Sequence, residues 1–332
     1  MAPLKVFAFD YVMEGGWTTR VLPHAFTQQG AMLFDALLAD LAALPEVEVC
    51  TMATLCALDA GILPVQSFAE RFARCVQAAD AVWPLAPESE GVLEGLSRDI
   101  LRGKRILLGS APGAVRVAGS KLKVARALAE GGVATVPTYR PHAALPDGEG
   151  AWVVKPEHGA GCLDTRLFSN RAAALAWIRT SAAQGYVLQP FVAGKLGSLS
   201  LICCDGAARL LARNEERVAV RDNRFHFLGT TVNGLPDPDG ALERLAQQVA
   251  AALPTLWGYV GVDIILGERG AVVIDVNPRL TTAYAGLHAS IGCNPAGLVI
   301  DLLKGPAAMP APPAGRRTVS VDVASFAPGA DG

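Results

Sequence analysis

The sequence lacks an excess of charge of either sign. Of its 332 residues, 29 are Lys or Arg and 31 are Asp or Glu, so the formal net charge is −2. Without a basic excess, the composition indicates neither nucleic acid nor an anionic membrane surface as a partner. An apolar run of about 20 residues free of charge, Pro and Gly clusters is also missing. We therefore expect no membrane-spanning helix and assign the 51% hydrophobic content to buried α/β elements.

Paired-cysteine motifs are also missing. The seven cysteines are odd in number and form no CxxC, which predicts reduced, mostly buried thiols in a cytoplasmic protein. A signal peptide is not indicated, because only Lys5 precedes a short apolar run that Asp10 interrupts. We expect that first run to be a β-strand.

The length predicts two or three compact lobes rather than one small core. In residues 1–112, short buried runs at 4–9, 47–50, 81–83 and 105–108 alternate with helical patterns at 31–43, 67–78 and 89–101. This alternation predicts an α/β domain with a parallel sheet and helices on both faces.

The remainder of the chain predicts α+β units at 113–192 and 193–304 and a Pro/Ala-rich tail at 305–332. Ser120 is expected to cap a helix that ends at Gly131 and Gly132. Further strands are expected at 134–136, 151–155, 186–189, 198–203 and 208–212, with helices at 171–180 and 239–253. A hairpin is expected to pair 259–266 with 271–276, and a last strand at 318–323 either docks back or frays.

A glycine-rich turn at 155–161 is the first candidate for chemistry. Lys155 ends an apolar strand, and Gly159 and Gly161 follow it. Glycines let backbone N–H groups approach an anion, and the lysine adds a point charge, so the segment suits a polyphosphate. The alternative is a tight surface hairpin with an exposed lysine. The glycines at 113–119 and at 159–161 match neither the P-loop nor the dinucleotide-binding spacing.

Three oxygen-bearing side chains on the predicted hairpin form the second candidate. Asp263 lies on one strand, and Asp275 and Asn277 lie two apart on the other, so the latter two face the same side. Carboxylates on adjacent strands suit Mg²⁺, which takes a few carboxylates plus phosphates and water. The alternative is a pair of strand-end acids bonded to backbone caps, but acids inside apolar strands need a partner.

Two loops of the first domain are candidates for substrate binding. Glu14, Gly15 and Gly16 follow the first strand, and Glu88 follows the third. Ligands of α/β sheets bind beyond the carboxyl ends of the strands, and a carboxylate there can pair with a substrate ammonium. The alternative is that both acids cap the following helices.

In order and spacing, these motifs resemble the ATP-grasp carboxylate–amine ligases. The resemblance covers about 115–304 and implies a two-lobed ATP-grasp fold that binds ATP and Mg²⁺ after the N-terminal domain. It places Lys121 and Lys155 at the phosphates and Arg279 at the transferred phosphoryl group or acyl phosphate. It makes Asp263, Asp275 and Asn277 magnesium ligands. It places Gln189, Pro190, Phe191 and Val192 around adenine.

Two positions depart from the family pattern. The family usually has Glu where this sequence has Asp275, and an acid that often binds ribose falls at Leu196. The shorter carboxylate implies a changed metal geometry, and Ser198 is the expected substitute at the ribose.

Several short sequence segments, one of which contains Arg213 and Asn214, resemble the tyramine–glutamate ligases of methanofuran-type cofactor synthesis. The resemblance assigns these two residues to substrate binding. It implies an enzyme that activates a small-molecule carboxylate, the γ-carboxyl group of glutamate, and joins it to tyramine or a tyrosine-like amine. An ATP-grasp kinase and an ATP-binding module without turnover remain alternatives. The base that deprotonates the amine stays open among Glu14, Glu88 and His158, and a homodimer is allowed for.

Overall fold

The computed structural model describes residues 2–17, 24–57, 67–146, 149–159, 161–181 and 184–323. Within these ranges the strands are β1 Leu4–Asp10, β2 Val47–Cys50, β3 Ala81–Leu85, β4 Ile106–Leu107, β5 Trp152–Pro156, β6 Arg166–Phe168, β7 Tyr186–Pro190, β8 Lys195–Cys204, β9 Ala207–Arg221, β10 Arg224–Val232, β11 Gly258–Gly267, β12 Gly270–Asn277 and β13 Val319–Asp322. The α-helices are α1 His24–Ala42, α2 Met52–Ala57, α3 Phe68–Ala78, α4 Val92–Arg102, α5 Pro112–Ala118, α6 Lys121–Glu130, α7 Arg171–Thr180, α8 Ala241–Ala252, α9 Tyr284–Ile291 and α10 Pro295–Asp301. None of the described helices is long and apolar enough to cross a bilayer.

The first domain confirms the predicted parallel sheet. Its four strands lie in the order β2-β1-β3-β4. Side chains alternate along β1, so Val6 and Ala8 pack with α1 while Phe7 and Phe9 pack with α3 and α4 on the other face. Both faces of the sheet are therefore covered by helices, as the sequence predicts.

The remaining strands form one curled, largely antiparallel sheet of nine strands. Its order is β12-β11-β8-β9-β10-β6-β5-β7, with β13 paired to β10. The elements of 113–192 supply β6-β5-β7, the tail supplies β13, and those of 193–304 supply the other five strands. The two groups meet where Arg224 of β10 pairs with Arg166 of β6. The sheet thus wraps around a space between its two halves, and the lobe boundaries stay a prediction.

Several predicted elements differ from the observed ones. Residues 134–136 form only an isolated bridge, from Thr135 to Val273, rather than a strand. Strand β9 continues to Arg221 instead of ending at 212, and β6 and β10 were not predicted. Polar residues beyond Ala212 break the expected apolar alternation because one face of β9 lines a cavity instead of a core. The last strand docks on β10, with Val319 opposite Val232.

A shared core joins the first domain, residues 1–112, to the unit at 193–304, which we call the second lobe. Leu37 and Leu41 of α1 belong to one buried cluster with Leu287 of α9 and Val299 of α10. Within this contact, the Tyr284 hydroxyl donates a hydrogen bond of 2.9 Å to Asp40. The packing brings the carboxyl end of the parallel sheet beside the space inside the curled sheet.

Candidate active site

A cavity of about 370 Å³ fills the space inside the curled sheet. Its walls come from β5, the loop after it, β7, β9, β10, β11 and β12. The predicted residues that line it are Lys121, Lys155, Gly159, Gly161, Gln189, Pro190, Phe191, Val192, Asp263, Asp275, Asn277 and Arg279. The fold thus brings the predicted phosphate, adenine and metal residues to one cavity.

Two lysines project into the cavity from different elements. Lys121 begins α6 behind the cap of Ser120, and its Nζ donates to the Gly159 carbonyl at 2.7 Å. The same Nζ lies 3.1 Å from Asp275 Oδ2. Lys155 on β5 is only 6% exposed, and burial lowers its pKa to about 8 despite the opposing charge of Asp275. This burial contradicts the alternative of a surface hairpin with an exposed lysine.

The glycine-rich loop covers the lysines. Gly161 has φ +64°, and the next residue, Cys162, has φ +61°, so the chain turns sharply back toward β6. Ala160 lies outside the described residues. His158 is exposed and its Nδ1 lies 2.6 Å from the Gly119 carbonyl, away from the cavity walls. The role of His158 as a candidate base stays a prediction.

The predicted adenine segment forms an apolar wall. Phe191 and Val192 line the cavity together with Ile265 and Ile274. The Gln189 side chain donates to the Thr138 hydroxyl at 2.7 Å. Leu196, where the family often has a ribose-binding acid, also lines the cavity.

The three predicted metal ligands lie together at the charged end. Asp263 and Asp275 are directly opposite across β11 and β12, and Asn277 Nδ2 donates to Asp263 Oδ2 at 3.1 Å. Burial and then the charge of Asp275 raise the pKa of Asp263 to about 6. Within the described ranges, no group of three His, Cys, Asp or Glu side chains could hold a metal. Two carboxylates and one amide nonetheless fit Mg²⁺, which completes its shell with phosphates and water.

Arg279 is held by the first domain. Its Nε donates to Glu88 Oε2 at 3.0 Å, and its Nη1 donates to the Leu280 carbonyl at 3.1 Å. Glu88 makes no capping bond to the short 3-10 helix that follows it and does not line the cavity. The alternative that the Glu88 side chain caps a helix is therefore wrong, because its carboxylate binds Arg279 instead. Substrate contact by Glu88 stays a prediction.

The other first-domain loop also turns away from the cavity. The Glu14 carboxylate accepts a hydrogen bond from the Met52 backbone N–H, at the start of α2. A Cβ atom on Gly16 would come within 2.3 Å of the Tyr11 ring, and Gly15 has φ +83°. None of these three residues lines a described cavity wall. The substrate role of Glu14, Gly15 and Gly16 stays a prediction, and the contacts of these residues in the structure are local packing and a bond to another helix.

Ser198, Arg213 and Asn214 lie behind the cavity wall rather than in it. Asn214 is fully buried, and its Nδ2 donates to the hydroxyls of Ser198 at 3.2 Å and Ser200 at 3.0 Å. Ser198 is 2% exposed and donates in turn to Glu216. Substrate binding by Arg213 and Asn214 and ribose binding by Ser198 stay predictions, while in the structure Asn214 and Ser198 each support a neighbouring side chain.

The cavity residues to which sequence reasoning gave no site role include Gln29, Cys162, Glu216 and Thr282. Gln29 Nε2 donates to the Thr282 hydroxyl, and Gln29 also lines an adjoining cavity of about 90 Å³ that contains Asp10. Burial raises the pKa of Cys162 to about 11, so its thiol stays protonated. Burial raises the pKa of Glu216 to about 7. The alternation of Glu216, Val218 and Val220 was the available signal for one shared face.

Comparison with known proteins agrees with this geometry. The sequence matches the ATP-grasp domain family over residues 118–283 and the pre ATP-grasp 3 domain family over residues 54–115. The chain belongs to the ATP-grasp family.

Among its relatives, this ATP-grasp chain is 27% identical over 206 residues to a tyramine–L-glutamate ligase of Methanocaldococcus jannaschii. The match covers 62% of this chain and 58% of the relative, so the chain spans less than two thirds of the length of that protein.

Solved structures show the same fold. An ATP-grasp superfamily protein from Archaeoglobus fulgidus superimposes with a TM-score of 0.69 at 21% identity, covering 95% of this chain and 91% of that one. An L-amino acid ligase from Bacillus licheniformis has a TM-score of 0.61 at 17% identity, covering 90% and 74%. At these identities the likeness concerns the fold alone.

Proposed function

We propose that the chain is an ATP- and Mg²⁺-dependent ligase that joins a carboxylate to an amine and releases ADP. The observation that carries the proposal is the meeting of two buried lysines, a glycine-rich loop and the oxygen set of β11 and β12 in one cavity. Membership of the ATP-grasp family and the ligase name of the relative support it.

In the proposed reaction, a substrate carboxylate oxygen attacks the γ-phosphorus of ATP, and the bond to the ADP oxygen breaks. The neutral amine nitrogen then attacks the carbonyl carbon of the acyl phosphate, and the bond from that carbon to the phosphate oxygen breaks. The nitrogen loses one proton to solvent as phosphate leaves and the amide forms. Lys121 and Lys155 hold the transferred phosphoryl group, and Arg279 stabilises the charge that develops beside it. Asp263, Asp275 and Asn277 would hold Mg²⁺, which neutralises phosphate charge when bound.

Glutamate and tyramine are the substrates we propose. They are the substrates in the name of the 27% identical relative. Activation of glutamate at its γ-carboxyl is part of the same proposal.

The test is a screen of ADP and phosphate release over amino acid and amine pairs, with products identified by mass. Glutamate with tyramine is expected to give the amide, one phosphate and one ADP per turnover. A phosphorylated end product would instead indicate a kinase. ATP binding without turnover across the panel would indicate a binding module, and either result would reject the ligase.

We also propose a cytoplasmic location, supported by the thiols of Cys50, Cys162, Cys203, Cys204 and Cys293, which form no disulfide. A homodimer stays a prediction, which the molar mass from light scattering would test.

A further inference from the structure

The hairpin of β9 and β10 presents to the cavity a face that changes from charged and buried at one end to apolar and exposed at the other. Glu216, Val218 and Val220 alternate along β9, and Phe227 and Phe225 lie opposite the two valines on β10. All five side chains line the cavity, and we call this set the hairpin face. Glu216 has a carboxylate oxygen with no solvent access, whereas Val220 is 48% exposed. The hairpin face therefore runs from a buried carboxylate through two apolar pairs to the surface.

Three neighbouring strands contribute polar side chains that hold this carboxylate in place. The hydroxyls of Ser198 on β8 and Thr230 on β10 both donate to Glu216 Oε1. Asn214 orients the Ser198 hydroxyl from behind. Several buried polar groups thus serve to aim one carboxyl group at the cavity.

The second oxygen of that carboxyl group is left without a partner. Glu216 Oε2 is buried and accepts no hydrogen bond from the described residues. A buried acceptor without a donor costs folding free energy. Its place in a cavity wall provides a reason for keeping it, because a ligand donor can supply the missing bond.

We propose that the hairpin face binds the amine substrate, with its primary ammonium at Glu216 Oε2 and its apolar body along Val218 and Phe227. This inference rests on the proposed function, since a ligase of this class requires an amine. An ammonium group carries three donors and no acceptor, which complements a carboxylate.

The nucleotide fits the hairpin face less well than an amine does. Its phosphates are anionic, and Glu216 would repel them. Phe191 and Val192, proposed for the purine, follow β7 at one end of the strand order, and Ile274 lies on β12 at the other end. The hairpin face lies on β9 and β10, in the middle of that order. The site therefore suits an arylalkyl amine or another primary amine with an apolar body.

The test measures binding rather than turnover. Calorimetry on the full chain, with a non-hydrolysable ATP analogue present, compares phenethylamine, tyramine and ethylamine. The variants are Glu216→Gln, Phe227→Ala and the control Glu215→Gln. Glu215 is the next residue on the same strand, but it pairs with Lys195 at 3.0 Å and lies outside the cavity wall.

We expect Glu215→Gln to bind phenethylamine and tyramine with the same affinities as wild type. Glu216→Gln should weaken both amines by about 10- to 100-fold, because the hydrogen bond to a charged group is lost. Phe227→Ala should weaken phenethylamine by about tenfold and leave ethylamine unchanged. The affinity for the ATP analogue should stay the same in every variant, which also reports an intact fold.

Equal amine affinity in wild type and Glu216→Gln would overturn the inference. Weaker binding of the ATP analogue by Phe227→Ala would also overturn the inference, because the hairpin face would then bind the nucleotide. If wild type binds none of the three amines yet makes amides from other substrates, the inference fails and the ligase stands. If the amines bind as expected but no amide forms with any acid, the ligase fails and the amine site stands.

Discussion

The first domain and the second lobe both bring carboxylates close to the cavity, but only the second lobe points them into it. Glu14 and Glu88 lie in loops after parallel strands, and their carboxylates bind a backbone N–H and Arg279, respectively. Asp263 and Asp275 lie within strands and line the cavity, as Glu216 does. On a strand, alternation fixes which face a side chain takes, whereas a loop leaves its direction to packing. Strand-borne groups therefore give stronger functional predictions than loop-borne ones.

The largest effect is expected from Lys155→Ala, which removes a cation carried by a strand from the cavity. We expect turnover to fall by about 10²- to 10³-fold, as for the loss of other preorganised electrostatic groups. Lys123→Ala is the matched control, because Lys123 is an exposed lysine on α6. Steady-state kinetics and thermal unfolding of both variants check the prediction. Near-wild-type turnover with Lys155→Ala would remove this lysine from the phosphate site.

The second test concerns the metal ligands on β11 and β12. Asp275→Asn should lower turnover by about 10- to 100-fold, whereas Asp275→Glu should retain more activity because it keeps the charge. Turnover in wild type should disappear with EDTA and return on titration with Mg²⁺. The exposed hairpin residue Asp222, changed to Asn, controls for loss of a carboxylate. Full activity in EDTA would argue that these side chains hold no required metal.

A smaller effect is expected from Glu88→Gln, where a first-domain residue acts through Arg279. Gln keeps the shape of the side chain but removes the charge that orients the guanidinium, so kcat should fall by about tenfold. The KM for ATP should stay unchanged, and Glu90→Gln, an exposed neighbour, should have no effect on either constant. An unchanged kcat would show that Arg279 keeps its place without Glu88.

Periodicity and capping predicted most elements of the fold. The cap of Ser120 begins its helix as expected, and the helical pattern at 67–78 matches α3, which a capping box of Ser67 and Glu70 begins. Strand β10 was missed because His226 and the polar residues around the turn at Asp222 and Asn223 interrupt its alternation. Those residues border a cavity and a turn, where local patterns carry less information about burial.

The candidate site was predicted where several motifs agreed and missed where one acid stood alone. Lys155, Asp263 and Asp275 were found because their types and spacing fit a polyphosphate and a metal. Glu216 has an equally charged neighbour in Glu215. Alternation places Glu216 on one face with Val218 and Val220, but the pairing of β9 with β8 and β10 is needed to show that this face turns to the cavity. That choice depends on strand register, which contacts distant in sequence determine.

The smallest expected effect tests Glu14, the loop-borne carboxylate, through stability rather than kinetics. Burial raises its pKa from 4.5 to about 7, so the folded state keeps this proton to a higher pH than the unfolded chain does. Between about pH 4.5 and 7 the folded state binds more protons, and the free energy of unfolding falls as the pH rises. Glu14→Gln cannot titrate, so its stability relative to wild type should rise over this window by about 1–2 kcal/mol, after a discount for partial exposure. Urea unfolding at pH 4.5, 6 and 8 measures the difference, with the exposed Glu46→Gln as the control for loss of a charge. If the free energies of unfolding of wild type and Glu14→Gln differ by the same amount at all three pH values, burial of the Glu14 carboxylate costs no folding free energy. A raised KM for either substrate would instead return Glu14 to the active site.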